Sequence, residues 1–379
     1  MGLFGDFDGA NTSGVPKTDS SFAVLNRTAQ PEYECLRKLL ESWFEHFPDD
    51  GRGNLDLRKR FRSDKDRKHQ AAFFELYISA MLRALPAYVE AHPTVDPTMT
   101  TAPDFLAHVS NGQGIIVECR IDSQSEAETS AHARLQQLID ELNALPSPSP
   151  DFIFMPDVRK VGRNTPSAVK ILNFLQKRLE NASVGDPLQK IIDESDVEEW
   201  VWESEDGWAI EFMPGLKSPD MKATENYPTI VRFSFGNIGG EFVLDGITSF
   251  RKALEAKTPS RYGRFALPYV LAVYVLNPFT QDAEIGEVLY GHRSYFGPRR
   301  REVSAVLVLR GISSMSPESI ASSAPTLWHN PNAIYRLPED LWPGPQAFGN
   351  DTSGSFEIRP GRSALEILGL GTDWPHSCN

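Results

Sequence analysis

Two nearly continuous apolar runs, PYVLAVYVL at 268–276 and VSAVLVL at 303–309, constrain this chain more than any other feature. Runs of that kind, without period-two alternation, read as strands buried on both faces, the interior of a sheet covered by helices. The longer run has nine residues, where a membrane helix needs about 20. The Met1–Ala10 start lacks a basic-then-apolar leader, so the expectation is a soluble, cytoplasmic protein with no membrane association. At 379 residues the chain exceeds one small core, and one large α/β domain or two intimate sub-domains is expected.

Elements on either side of the apolar runs alternate. Leu36, Leu39, Leu40, Trp43 and Phe44 recur at three- and four-residue spacing and predict a helix over 32–47. The next helix, over 65–85 with Ser63 as its cap, is apolar nearly all round except for a stripe of Glu75, Ser79 and Arg83. Pro86 stops it. A short extended piece near 88–92 precedes a hairpin of PDFLAHV at 103–109 and GIIVECRI at 114–121. A helix at 126–145 and the strand DFIFM at 151–155 follow. The second half continues with a helix at 166–180, strands near 208–213, 229–235 and 241–244, and a helix at 246–257. The pattern predicts a mixed sheet flanked by helices on both faces. It divides into an N-terminal arm (1–30), a core (31–185), a second α/β half packed on that core (186–345) and a C-terminal arm (346–379), the arms loosely structured.

The formal charge of −13 argues against coating nucleic acid by bulk electrostatics. Locally the balance reverses: Leu57–His69 carries Arg58, Lys59, Arg60, Arg62, Lys65, Arg67 and Lys68 against Asp64 and Asp66. That window reads as a solvated helix entry or, through Arg58, Arg60 and Arg62, as a contact for phosphates. Arg299, Arg300 and Arg301 in GPRRR read as exposed, with phosphate contact the alternative. Three scattered cysteines make neither a disulfide framework nor a zinc site. Phosphate-loop, dinucleotide, hydrolase-elbow and zincin motifs are absent, and single histidines such as His108 and His292 read as structural.

The chemistry concentrates in the hairpin. Ile116, Glu118 and Arg120 share one strand face, and Asp104 stands at the head of the neighbouring strand. Charges inside an apolar strand are costly unless paired or bound to a cation. Glu118 and Arg120 could simply pair. Alternatively Asp104, Glu118 and the helical Glu75 could converge on a hard divalent cation. Glu75 on a helix, then Pro103-Asp104, then Glu118-Cys119-Arg120 resembles the PD-(D/E)xK, or restriction-endonuclease-like, superfamily, over roughly 65–156. The segments FELY at Phe74–Tyr77, PDF at Pro103–Phe105 and VEC at Val117–Cys119 also resemble uncharacterised bacterial proteins.

The resemblance implies a core of helix, three strands, helix, strand. It implies Asp104 and Glu118 as ligands of Mg²⁺ (or Mn²⁺), Glu75 as an auxiliary acid, and Arg120 at the family's lysine position. Arginine stays protonated above pH 12, so Arg120 orients phosphate or steadies negative charge and is no general base. Lys252 and Lys257, in FRKALEAKTPSRYG, read first as a solvated helix face; either supplies an amine only if that helix packs beside the active edge. Gln136 and Gln137 resemble polar helix residues that some family members place near the metal. The expected function is a metal-dependent nuclease acting on DNA rather than RNA, in bacterial defence or genome maintenance, with a homodimer compatible. The alternatives are a catalytically degenerate copy that binds nucleic acid or a protein partner, and a structural protein whose carboxylates are ion-paired.

Strand parity makes the metal reading testable. Opposed residues of an antiparallel pair share a face, so Asp104 joins Glu118 only when paired residue numbers sum to an even value. A two-residue Asn111-Gly112 turn gives 223 and turns Asp104 away. A three-residue loop Asn111–Gln113 gives 224 and sets Asp104 opposite Arg120. The expectation is an odd loop or a bulge.

Overall fold

The computed structural model describes residues 2–4, 20–49, 54–85, 87–109, 112–122, 126–182, 200–217, 246–263, 265–276, 280–292, 294–314, 316–322, 324–349 and 355–377. The expected strands at 229–235 and 241–244 lie outside them. The chain divides into two compact units. One consists of Met1–Val15, Asp19–Ser123 and Gly246–Asn379; the other is Gln124–Asp245 with Pro16–Thr18.

The first unit opens with helices α1 (Ser21–Arg27), α2 (Pro31–Glu45), α3 (Leu55–Phe61) and α4 (Asp66–Ala84). Ser63 does not cap α4: Lys65 occupies that position, and the Ser63 hydroxyl accepts the Lys65 amide at 3.1 Å one step earlier. Strands β1 (Ala87–Ala91), β2 (Phe105–Val109) and β3 (Gly114–Ile121) form an antiparallel meander. After the second unit come α7 (Gly246–Glu255), a 3₁₀ turn (Pro259–Tyr262), β7 (Tyr269–Val275), α8 (Asp282–Tyr290), β8 (Ala305–Arg310), α9 (Pro317–Ser322), β9 (Thr326–His329), β10 (Gln346–Gly349), β11 (Phe356–Arg359) and α10 (Ala364–Leu368). The eight strands form one mixed sheet in the order β1-β2-β3-β7-β8-β9-β10-β11, with β3, β7 and β8 parallel at its centre.

The two apolar runs are therefore adjacent central strands, as expected. Their alternate side chains feed two cores. Val270, Ala272, Tyr274, Ala305, Leu307 and Leu309 join α2 and α4 on one face. Leu271, Val273, Val306 and Val308 join α7 and α8 on the other. Parallel neighbours buried on both sides require a helical crossover, which α7 supplies before β7.

The second unit holds α5 (Glu126–Ala144), β4 (Phe152–Lys160), α6 (Ala168–Ala182), β5 (Val201–Glu203) and β6 (Ala209–Leu216), its strands forming a separate sheet in the order β4-β6-β5. It has its own core around Phe154, Ile171, Trp208 and Phe212.

This division corrects the expected domain boundaries. The helix at 126–145 and the strand at 151–155, read as the last helix and strand of the core, exist but belong to the second unit; the strand beside β3 is β7. The reason is that β7 is apolar on both faces and suits a sheet centre, whereas β4 pairs antiparallel with β6. The described parts of both expected arms are packed into the first unit. Leu3 and Leu25 are fully buried, and 346–359 contribute two strands to the large sheet. Cys35 is disulfide-bonded and Cys119 is free and buried, a pairing that the scattered cysteines did not suggest. Among the described residues, no helix is long and apolar enough to cross a membrane.

Candidate active site

The β2–β3 hairpin has the required parity. Val109 closes on Gln113, its amide donating to the Gln113 carbonyl at 3.0 Å. The Gly112 amide returns to the Val109 carbonyl at 2.8 Å, with Gly112 at φ +81° in the left-handed region that glycine adopts without strain. Three residues intervene, one position earlier than the expected loop. Phe105 faces Val117 and Leu106 faces Ile116, a sum of 222 rather than 224. Continued by one residue, that register sets Asp104 opposite Glu118 itself instead of Arg120.

Glu118 lies on the β3 face that meets α7, beside Leu271 of β7, and is fully buried. One oxygen, Oε1, accepts the amine of Lys257, two residues beyond the end of α7. Lys257 also donates to the Tyr262 hydroxyl at 3.3 Å and lies 5.9 Å from the Tyr262 ring centre. Among the described residues the other oxygen, Oε2, is buried without a hydrogen-bond partner, and so is the Tyr269 hydroxyl. Burial, and then the Glu118 charge, hold both Tyr262 and Tyr269 as phenols far above their ordinary range. The reading of the Lys257 region as a solvated helix face is thus corrected for Lys257: its aliphatic stem carries the amine inward because a fully buried carboxylate requires a counter-charge. Lys252 remains exposed.

Asp104 is clamped at the strand head. Its Oδ2 accepts the Cys119 amide at 2.7 Å, and its carbonyl accepts the His92 amide at 2.9 Å. Burial raises the Asp104 carboxyl well above the usual range, and the charges of Glu118 and then Glu75 raise it further. The Cys119 thiol is pushed up by burial and by the same three acids. Asp104, Glu118 and Glu75 therefore share one electrostatic neighbourhood.

Glu75 is engaged elsewhere. Arg60 of α3 grips it with two hydrogen bonds, at 2.8 and 2.7 Å, while its Nε holds Asp56 at 2.6 Å. Arg62 donates to the backbone carbonyls of Leu3 and Gly2 at 2.7 and 3.0 Å. Of the three arginines expected to meet phosphate, Arg60 is committed to carboxylates and Arg62 to carbonyls; Arg58 sits one turn before Arg62 in α3. Arg120 is partly exposed and its Nε is buried without a partner, so it does not pair with Glu118. Gln137 lies in the second unit, held by Glu141 at 2.9 Å and Thr165 at 3.2 Å; the Gln136 side chain lies outside the described residues. His108 pairs with Glu90 at 3.0 Å, the structural role expected of it.

Among the described residues, no group of three or more His, Cys, Asp or Glu side chains is arranged to hold a metal ion. Magnesium does not demand one: it is commonly held by one or two carboxylates with water and substrate phosphate completing its shell. Asp104, with a like-charge burden, and Glu118, with an orphaned buried oxygen, fit that requirement. Lys257, Tyr262 and Tyr269 were the missed residues of this cluster, the first weighed and set second, the others not singled out. The signal that points to them is the position of the KTPSRYG segment between a helix and an apolar strand, which a parallel crossover brings back to β3. Comparison with family models, with curated proteins and with solved structures finds no match to this chain.

Proposed function

We propose that the protein is a metal-dependent phosphodiesterase of the restriction-endonuclease-like class, acting on nucleic acid with DNA the expected substrate. The observation that carries this reading is the Lys257 amine on the fully buried Glu118, which returns to the cluster the lysine that Arg120 replaces in the motif. Within the first unit the order α4, β1, β2, β3, α7, β7 supports it, since helix, three strands, helix, strand is the core order that the resemblance implies, although the second unit intervenes between β3 and α7.

Asp104 and Glu118 would hold Mg²⁺ or Mn²⁺, which supplies Lewis-acid polarisation of a phosphoryl oxygen and acidifies bound water. Asp104 is held in place by the Cys119 amide, and Glu118 by the rigid parallel pair of β3 and β7. The Lys257 amine steadies negative charge that develops on the phosphate, and Tyr262 orients that amine. Arg120 is a second cation available for phosphate.

A second reading has its own observation. With Oε1 of Glu118 taken by Lys257 and Glu75 taken by Arg60, the acids are already compensated, as in a degenerate copy that binds nucleic acid without cutting it. An assay of single- and double-stranded DNA and RNA with Mg²⁺ or Mn²⁺ separates the two. Hydrolysis that chelation stops and that Glu118→Gln and Asp104→Asn both abolish is expected. Binding without hydrolysis of any of the four substrates would leave the second reading.

A further inference from the structure

We propose that the cavity between α7 and the GPRRR loop binds a backbone phosphate of a nucleic-acid strand. The identity of the strand rests on the nuclease reading; the anion pocket does not.

The cavity has a volume of about 370 Å³ and is lined by Arg251 and Glu255 of α7 and by the loop that includes Tyr295, Arg299 and Arg300. Arg299 and Arg300 line it beside Glu255, in a chain whose formal charge is −13. With acids in excess, arginines find carboxylates readily. Arg60, Arg159, Arg310 and Arg359 all do. Among the described residues Arg299 and Arg300 have no carboxylate partner, and Arg301 next to them is turned away onto the Asn332 carbonyl at 3.3 Å.

The pocket is held rigidly. Tyr295 is buried and anchored by its hydroxyl to the Leu254 carbonyl at 3.1 Å, and the Arg300 guanidinium lies 5.5 Å from the Tyr295 ring centre. Stacking on the ring fixes the plane of the guanidinium and leaves its N–H edge for a planar or tetrahedral oxyanion. The Arg300 backbone is tied at both ends, its amide to the Gly297 carbonyl at 3.0 Å and its carbonyl to the Asn330 side-chain amide at 3.0 Å. A preorganised arginine such as Arg300, with no carboxylate partner among the described residues, is the arrangement that binds phosphate bidentately.

The location supplies the ligand. Glu255 ends α7, and Lys257, two residues on, is the amine on Glu118. A strand lying across Glu118 carries a charge every ~3.4 Å along its axis, so its flanking phosphates run along the helix that joins the two sites.

Binding of labelled oligonucleotides by the full chain in EDTA, read by anisotropy over a range of salt, tests the pocket separately from hydrolysis. For Arg299→Gln with Arg300→Gln, affinity at low salt should fall about tenfold and the salt slope should shrink by about 0.7 to 0.9, as for one lost phosphate contact. Arg299→Lys with Arg300→Lys should keep most of the slope, and Glu255→Gln should tighten binding, a direction that misfolding cannot produce. Pyrophosphate at constant ionic strength should displace the oligonucleotide only at concentrations far above that of the oligonucleotide. An unchanged affinity and slope in the glutamine variant, or no oligonucleotide binding by the wild type, would overturn the proposal. Displacement by equimolar pyrophosphate would instead assign the pocket to a free phosphate compound. If these shifts appear without hydrolysis, the pocket stands and the nuclease reading fails; hydrolysis with unshifted binding gives the converse.

Discussion

Strands β3 and β7 lie side by side at the centre of the sheet, parallel and in register, and one fully buried slot that they share is filled very differently. Leu271 fills it in β7 and Glu118 fills it in β3, and both are fully inaccessible to solvent. An apolar side chain there contributes about 2 kcal/mol by burial, whereas a lone carboxylate costs several kcal/mol unless a cation meets it. Lys257 meets it with one oxygen's worth of pairing and leaves the other oxygen bare. A strand selected for stability alone would carry leucine twice. On the proposed reading, β7 serves the architecture and β3 the chemistry.

The comparison is broken most sharply by making the strands alike. Glu118→Leu should abolish Mn²⁺-dependent hydrolysis, a loss of at least about a thousandfold. Combined with Lys257→Met, the same change should leave the protein as stable as wild type or more so, by about 1 to 4 kcal/mol in urea denaturation. A double variant that unfolds would mean that the ion pair is architectural. Lys257→Met alone should cost about 3 to 5 kcal/mol in metal-free protein, because it strands the buried carboxylate. Leu271→Ala should cost about 3 kcal/mol as a cavity, while the metal affinity of the folded fraction stays unchanged in calorimetry.

The smallest effect belongs to Asp104. Its folded-state carboxyl is raised, so between its ordinary value near 4 and that raised value the native protein holds a proton that the unfolded chain has lost. Stability from this group is present at low pH and declines as pH rises through that window. Asp104→Asn should therefore stabilise metal-free protein more at pH 8 than at pH 5, measured as the gap between urea midpoints. A gap that narrows with rising pH would contradict the like-charge account.

Local physics made much of the fold legible. The all-round apolar pattern of α4, the two central strands and the β2–β3 hairpin follow from periodicity, and the even register followed from requiring Asp104 and Glu118 on one face. The loop lies one residue earlier than expected: Val109 closes on Gln113, with Gly112 in the left-handed turn position. Two larger features were not local. The core's last helix and strand were read at 126–145 and 151–155, the next elements in the sequence, but the chain builds a second core there before returning with β7. For the same reason the amine on Glu118 lies 139 residues away, where no spacing rule connects the two. Arg60 was counted among exposed cations because sequence alone does not show that α3 sets it against Glu75.

Titration of Mn²⁺ into the protein by calorimetry tests most directly whether Glu118 serves a cation site rather than an ion pair. Wild type should bind Mn²⁺ at or below millimolar concentration, with binding lost in both Glu118→Gln and Asp104→Asn. No binding at millimolar Mn²⁺ even with nucleic acid present, or binding that survives both substitutions, would contradict the account.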